Sequence, residues 1–374
     1  AGIFMLPYAA TIFLSAFLLF LVQPLIAKQI LPWFGGASSV WTTCLLFFQS
    51  ALLAGYAYAH AIVHRHPPRR QVFLHIILLA ASLALLPIIA DSSWKPTGAG
   101  DPILRILGLL LVTIGGPYVL LSATTPLLQA WYWRRFNESV PYRLFALSNF
   151  ASLLALLGYP LMLEPFLGVA DSARLWSWLY AVFVAACIAT GLISLRGSRS
   201  LPQGGVPLKE DDRHVSALPL RTPAAWFMYA ALGSCVLLAV SNHLTQNIAS
   251  VPFLWVVPLA LYLITFIICF DHPRWYIRAI YMPILGISLI AMAWMIDSLE
   301  LQWAAPIFAI GLFASCMFCH GELARLRPPP AHLTLFYLAI SIGGAVGALL
   351  IAVIAPTVLN GYFEMHGVLA VMAV

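Results

Sequence analysis

The sharpest chemical string in the chain is Cys316-Met317-Phe318-Cys319-His320, a C-x-x-C-H spacing that elsewhere attaches a c-type haem. The span that carries it runs from outside to inside and puts His320 at the cytoplasmic boundary, the wrong side for that attachment. The two thiols therefore read as small core residues, and no haem is expected. The other cysteines, Cys44, Cys187, Cys235 and Cys269, stand singly and make neither a disulfide framework nor a zinc spacing. His60, His64 and His66 lie among Arg65, Arg69 and Arg70, whose charge would repel a cation, so this stretch reads as a basic loop facing lipid headgroups. The sequence therefore offers no metal centre. Sulfonium or nucleotide chemistry needs a glycine-rich strand-to-helix turn, and none of the Gly-Gly pairs at 35–36, 115–116, 204–205 and 343–344 opens one. No catalytic residue and no cofactor is assigned. Gly343-Gly344 with Gly347 reads instead as a place where helices approach closely.

What remains is a set of polar groups inside apolar stretches: Gln23, Gln49, Asn149, Asn242, His243 and Gln246, with Glu164, His320, Glu322 and Arg325 near helix ends. Such groups are costly in hydrocarbon and must face protein, water or a ligand. Asn242, His243 and Gln246 share one helical face by their i, i+3/i+4 spacing. Gln23 holds a similar depth in the first helix, which corresponds to theirs in a two-half fold. Two readings stand side by side: interhelical hydrogen bonding, or the lining of a central cavity's outward mouth. Glu322, three residues before Arg325 and beside His320, reads as a gate or proton relay, or as a helix-end ion pair. Glu164, before Pro165, has the same two readings.

These residues need membrane helices to position them. The chain is 62% hydrophobic and 9% charged, with a mean hydropathy of +0.93, which excludes a water-soluble globule, disorder and a coiled coil. Uncharged runs long enough to span hydrocarbon lie near 3–27, 40–63, 72–90, 106–133, 144–163, 175–195, 224–248, 251–270, 279–296, 301–320 and 333–356. A twelfth run starts at Gly367 and meets the last residue, Val374, so the natural chain is expected to continue. With the N-terminus cytoplasmic, alternate loops divide the basic residues fifteen inside to four outside, the four being Lys28, Lys95, Arg105 and Arg174. A miscounted helix would scramble that division. The net charge of +6 follows the loops and implies no nucleic-acid partner.

The longest polar stretch follows the sixth span. The chain thus divides into a six-helix half over 1–195, a cytoplasmic linker over 196–222 and a second, incomplete half over 223–374. This is the all-α arrangement of a major-facilitator-like protein. Leu144-Phe145-x-Leu147 through Pro165 aligns without gaps on Leu335-Phe336-x-Leu338 through Pro356, with four identities in 22 positions, a weak trace of a repeat.

Four longer stretches carry residues unusual for lipid, among them Gln23-Pro24, Trp33, Asn149, Glu164-Pro165 and His320-Gly321-Glu322. They are LVQPLIAKQILPWFGGASSVWTTCLLFFQSALLAGYAYAH (21–60), LFALSNFASLLALLGYPLMLEP (144–165), LTQNIASVPFLWVVPLALYLITFIICF (244–270) and CHGELARLRPPPAHLTLFYL (319–338). In them the chain resembles, over nearly its whole length, the membrane portion of the bacterial fused major-facilitator/spermidine-synthase-like proteins. The resemblance implies a multi-pass protein of the bacterial inner membrane, and a soluble aminopropyltransferase-like domain that would follow this chain and hold any enzyme activity. Two positions depart from the pattern: Asn247 stands where an acidic residue is expected, removing a carboxylate that could couple protons, and Ala151 stands in place of glycine. Two functions are open. One is a module that binds or transports a small amine-like solute. The other is a non-transporting scaffold, or an accessory subunit among other membrane subunits.

Overall fold

The computed structural model describes residues 2–35, 38–96, 102–136, 141–196, 219–247, 256–296, 301–358 and 363–373. Among them there is no strand and there are twelve helices. They are α1 (Gly2–Phe34), α2 (Ser38–Arg65), α3 (Pro68–Ser82), α4 (Pro102–Leu110 running on through Gly116–Phe136), α5 (Pro141–Gly158 and one further turn) and α6 (Val169–Leu195). The second set is α7 (Arg221–Asn247), α8 (Val256–Asp271), α9 (Arg278–Met295), α10 (Leu301–Arg325), α11 (Leu333–Leu349 continuing to Val358) and α12 (Glu364–Ala373). Ten are long and apolar enough to cross a membrane, α8 and α12 being shorter. A backbone in hydrocarbon has no water to bond, so each apolar run closes its own hydrogen bonds as helix.

Two boundaries differ from the sequence reading. The third span stops in a short 3-10 turn at Leu83–Leu85 instead of running to residue 90. Pro87 offers no N–H and bars helical backbone at the residue before it. The last helix begins at Glu364, a turn before Gly367. Of the linker over 196–222, residues 197–218 lie outside the described residues, and Arg221 and Thr222 already belong to α7.

The two halves repeat one packing plan. In the first, α1 packs mainly on α5, α6 and α4, and α2 on α4; in the second, α7 packs mainly on α11, α10 and α12, and α8 on α10. The halves meet along α2 against α11 and α5 against α8. Widened π turns interrupt three helices, at Leu111–Gly115 in α4, Tyr159–Leu163 in α5 and Leu350–Ile354 in α11. Each is followed, two residues on, by a proline: Pro117, Pro165 and Pro356. A proline ring clashes with the carbonyl four residues back, here the middle residue of each π turn, and widening the turn relieves the clash. Proline alone is not sufficient, since Pro24 and Pro126 sit inside plain α-helix. The turns in α5 and α11 superimpose under the gapless alignment that places Leu144 on Leu335. In both, the amide after the turn bonds five residues back, Glu164 to Tyr159 and Ala355 to Leu350. A repeat faint in sequence is plain in backbone geometry.

Candidate functional site between the halves

Successive helices are antiparallel, so the loops richest in arginine, those between α2 and α3, α4 and α5, α8 and α9, and α10 and α11, collect at one end of the bundle. At this arginine-rich end the halves are joined by polar and aromatic side chains. His60 Nδ1 of α2 lies 3.0 Å from Thr334 Oγ1 of α11. The Tyr337 hydroxyl of α11 donates to Gln129 Oε1 of α4 at 2.8 Å, and the Tyr142 hydroxyl of α5 donates to the Pro328 carbonyl. Arg327 lies over the Tyr142 ring at 5.2 Å. Phe145 of α5 packs edge-on to Phe270 at 4.6 Å and Phe266 at 5.5 Å, and meets Tyr337 at 5.3 Å, while Tyr56 of α2 reaches Tyr337 at 5.8 Å. Aromatic pairs at such separations add to the area they bury.

Away from this end the join is different in kind. The other cross-half cluster among the described residues is small and aliphatic, Leu156 of α5 with Val256 and Leu263 of α8. The remaining large clusters each stay within one half.

The sequence-predicted residues fall around this seam and not in it. Gln23 Nε2 donates to the Tyr118 hydroxyl of α4 at 3.2 Å. His243 of α7 lies against the Phe308 ring of α10 at 4.3 Å. The two residues thus look from corresponding helices onto corresponding neighbours, α1 onto α4 and α7 onto α10. Asn242 is half-buried beside His243, and the Gln246 side chain is outside the described residues. Asn149 Nδ2 donates to the Phe145 carbonyl of its own helix at 2.9 Å. Gln49 is half-buried on α2, with no hydrogen bond to a described residue.

The four gate residues separate into three settings. Glu164 pairs with Lys28 Nζ at 2.6 Å, half-exposed, tying α5 to α1 at the far end. Glu322 is buried and takes Arg325 on both oxygens, at 3.0 and 3.2 Å, the Tyr276 hydroxyl at 2.8 Å, and Arg278 Nε at 3.8 Å. Burial and the Glu322 carboxylate together push the Tyr276 phenol well above its ordinary value. In the corresponding place of the first half, Gln71 of α3 accepts from Trp131 Nε1 and Arg134 Nη1 of α4, both at 3.0 Å. His320 belongs to neither set. Its Nδ1 meets Thr265 Oγ1 at 2.8 Å and its ring stacks on Phe266 at 3.5 Å, while its fully buried Nε2 has no partner and faces Gly233. It stands one ring behind the seam, because Phe266 is the residue that meets Phe145. Cys316 and Cys319 are completely buried on the same helix. Among the described residues no three His, Cys, Asp or Glu side chains gather as a metal site.

Gln129, Tyr56, Tyr142, Tyr337 and Thr334 escaped the sequence reading. Gln129 carried a usable signal, an amide deep in the fourth span. It is fully buried, and its Nε2 has no partner.

This chain is similar in structure to a bacterial homologue of the iron transporter ferroportin, solved by crystallography in an outward-facing state, with a TM-score of 0.65 over 99% of this chain and 95% of that one. Sequence identity is 13%, so the likeness concerns the fold. No family model matches the chain, and no curated protein matches it in sequence. The fold is all-helical and major-facilitator-like, with helices whose length and apolarity suit a lipid bilayer.

Proposed function

We propose that the chain is a transporter that passes a small solute between its two halves, with the arginine-rich end facing the cytoplasm. The observation that carries this reading is the uneven join. Hydrogen bonds, rings and a cation over Tyr142 close one end, whereas a few aliphatic side chains bridge the halves beyond it. A join of hydrogen bonds and packed rings is bistable and can break and re-form as a unit, which gives the halves two discrete arrangements. Gln23, Asn242 and His243 would line the approach from the opposite end, and His320 and Gln129 would stand just behind the seal. Twelve helices with corresponding patches on α1 and α7 fit a binding site at the interface of the repeats.

The resemblance of residues 21–60, 144–165, 244–270 and 319–338 to the fused spermidine-synthase-like proteins makes a small amine the first solute to try. The structural neighbour makes ferrous iron the second. Proteoliposome uptake of putrescine, spermidine and Fe2+ by the wild type and by His60→Cys/Thr334→Cys tests the proposal. Accumulation of one solute that stops when the cysteine pair is oxidised and resumes on reduction supports transport through the seam. Undiminished uptake by the cross-linked protein would overturn it.

One observation favours a scaffold instead. The two candidate gate carboxylates, Glu164 and Glu322, are committed to ion pairs inside their own halves. For a scaffold that anchors a soluble domain or other subunits, the cross-link would leave the partner's activity unchanged and none of the solutes would enter.

A further inference from the structure

Three histidines stand together where the halves close, and transport by itself does not require them. His60 and His64 lie one turn apart on the last turns of α2, their rings edge to face at 4.2 Å. His60 is half-buried and reaches across to Thr334 at 3.0 Å; His64 is exposed. His332 comes from the turn that leads into α11, two residues before Thr334, and its Nε2 is buried without a partner.

Arginines stand on the neighbouring elements. From α4, Arg134 is held against the carbonyl of Val63, the residue before His64, at 3.1 Å. The turn between α10 and α11 brings Arg327, fixed over Tyr142. α2 itself ends in Arg65, His66 follows it, and the first turn of α3 carries Arg69 and Arg70, all exposed. The remaining titratable groups nearby are the Tyr56 and Tyr337 phenols in the seam and His75 of α3, which faces Tyr58 on another side of α2. Among the described residues no carboxylate forms an ion pair with any of the three histidines.

We propose that His60 and His64, beside His332, form a proton-binding site whose occupancy unlocks the seam between the halves. Neutral imidazoles can share the space that closure allots them. Imidazolium rings at this separation repel each other and the neighbouring arginines. Parting α2 from α11 gives all three rings water. The closed seam therefore binds fewer protons than the open one. It is favoured above the ordinary histidine range near pH 6.5 and lost as pH falls through it. The proposal goes beyond the transport reading and does not depend on it, since a seam can respond to protons in a scaffold too.

Spin labels on Arg70→Cys and Arg274→Cys, exposed residues of the two halves at this end, would report the seam distance in the full chain in nanodiscs between pH 8 and pH 5. The six native cysteines are buried and leave these sites selective. The expected result is a longer-distance population whose ratio to the short one rises at least about tenfold between pH 7.5 and pH 5.5. In His60→Gln/His64→Gln/His332→Gln that population should stay small at every pH. His64→Gln alone, at an exposed position that does not threaten folding, should move the midpoint to lower pH. A distance unchanged by pH in the wild type would overturn the proposal. So would a His64→Gln variant, or a folded triple variant, that opens like the wild type. Neither result bears on uptake, so failure here is separate from failure of the transport reading.

Discussion

Replacing Gly343 or Gly347 of α11 by alanine should force α11 away from α7, while the same change at Gly344 between them should be tolerated. A Cβ on Gly343 would fall within 3.0 Å of the Phe227 carbonyl oxygen, and one on Gly347 within 3.0 Å of the Ala231 carbonyl oxygen, closer than real Cβ contacts come. Both obstacles are backbone, which has no rotamer to give, so the helices themselves must separate. On Gly344 the nearest atom is Ser234 Oγ at 3.4 Å, an ordinary contact with a side chain that can turn. Overpacking a tight contact costs about 1–3 kcal/mol, and leaving glycine for alanine in a helix returns about 1 kcal/mol. At 343 and 347 the cost, near the top of its range, wins by roughly 2 kcal/mol; at 344 the gain wins by up to about 1 kcal/mol. The two clashes share one interface, so the double variant should not be additive. Fluorescence-detected size exclusion of heated, detergent-solubilised variants reads this as midpoints lowered for Gly343→Ala and Gly347→Ala and unchanged or raised for Gly344→Ala. A Gly344→Ala variant as unstable as its neighbours would refute the close-packing argument.

Tyr337→Phe removes the donor to Gln129 and leaves a buried amide oxygen without a partner, an expected loss of about 1–3 kcal/mol from the closed seam. It should appear as a larger open fraction by the Arg70/Arg274 labels, with little change in the melting of either half. Glu322→Gln abolishes the charge that holds Arg325, Arg278 and Tyr276 together. Both arginines are half-exposed, so water screens them, and the expected destabilisation is about 1–2 kcal/mol in a thermal melt. Lys28→Met breaks an ion pair exposed on both sides and should shift the melt by less than about 1 kcal/mol. A large effect there would give the α1–α5 tie a role this geometry does not assign.

Helix count and the two-half fold were legible because a bilayer demands about twenty apolar residues per crossing, a signal stronger than any other in a sequence. Boundaries set by single residues were less so. Pro87 ended the third span early although its flanks are apolar, and residues Leu83–Leu85 turn away from the α-helix there. The Glu322–Arg325 pairing could be read from its i, i+3 spacing, but Tyr276 and Arg278 join it from another helix connection, and spacing carries no such information. Helical period placed Gln23 and His243 on inward faces without saying which neighbour they meet, and each meets its own half. The seam was hidden for a different reason. Tyrosines and phenylalanines near helix ends read equally well as interfacial belts, and only the meeting of α5 with α8 and of α2 with α11 distinguishes Tyr142, Phe145 and Tyr337 from residues facing headgroups.

The central claim is that the halves part at the seam and close elsewhere in a single coupled motion. Single-molecule FRET on two pairs of introduced cysteines tests it most directly, Arg70 with Arg274 at the arginine-rich end and Phe166 with Phe363, both exposed, at the other. In nanodiscs sampled from pH 5 to pH 8, the account expects two populations at each end, with the first pair lengthening under the conditions that shorten the second. One fixed distance at both ends, or two ends that vary independently, would contradict it.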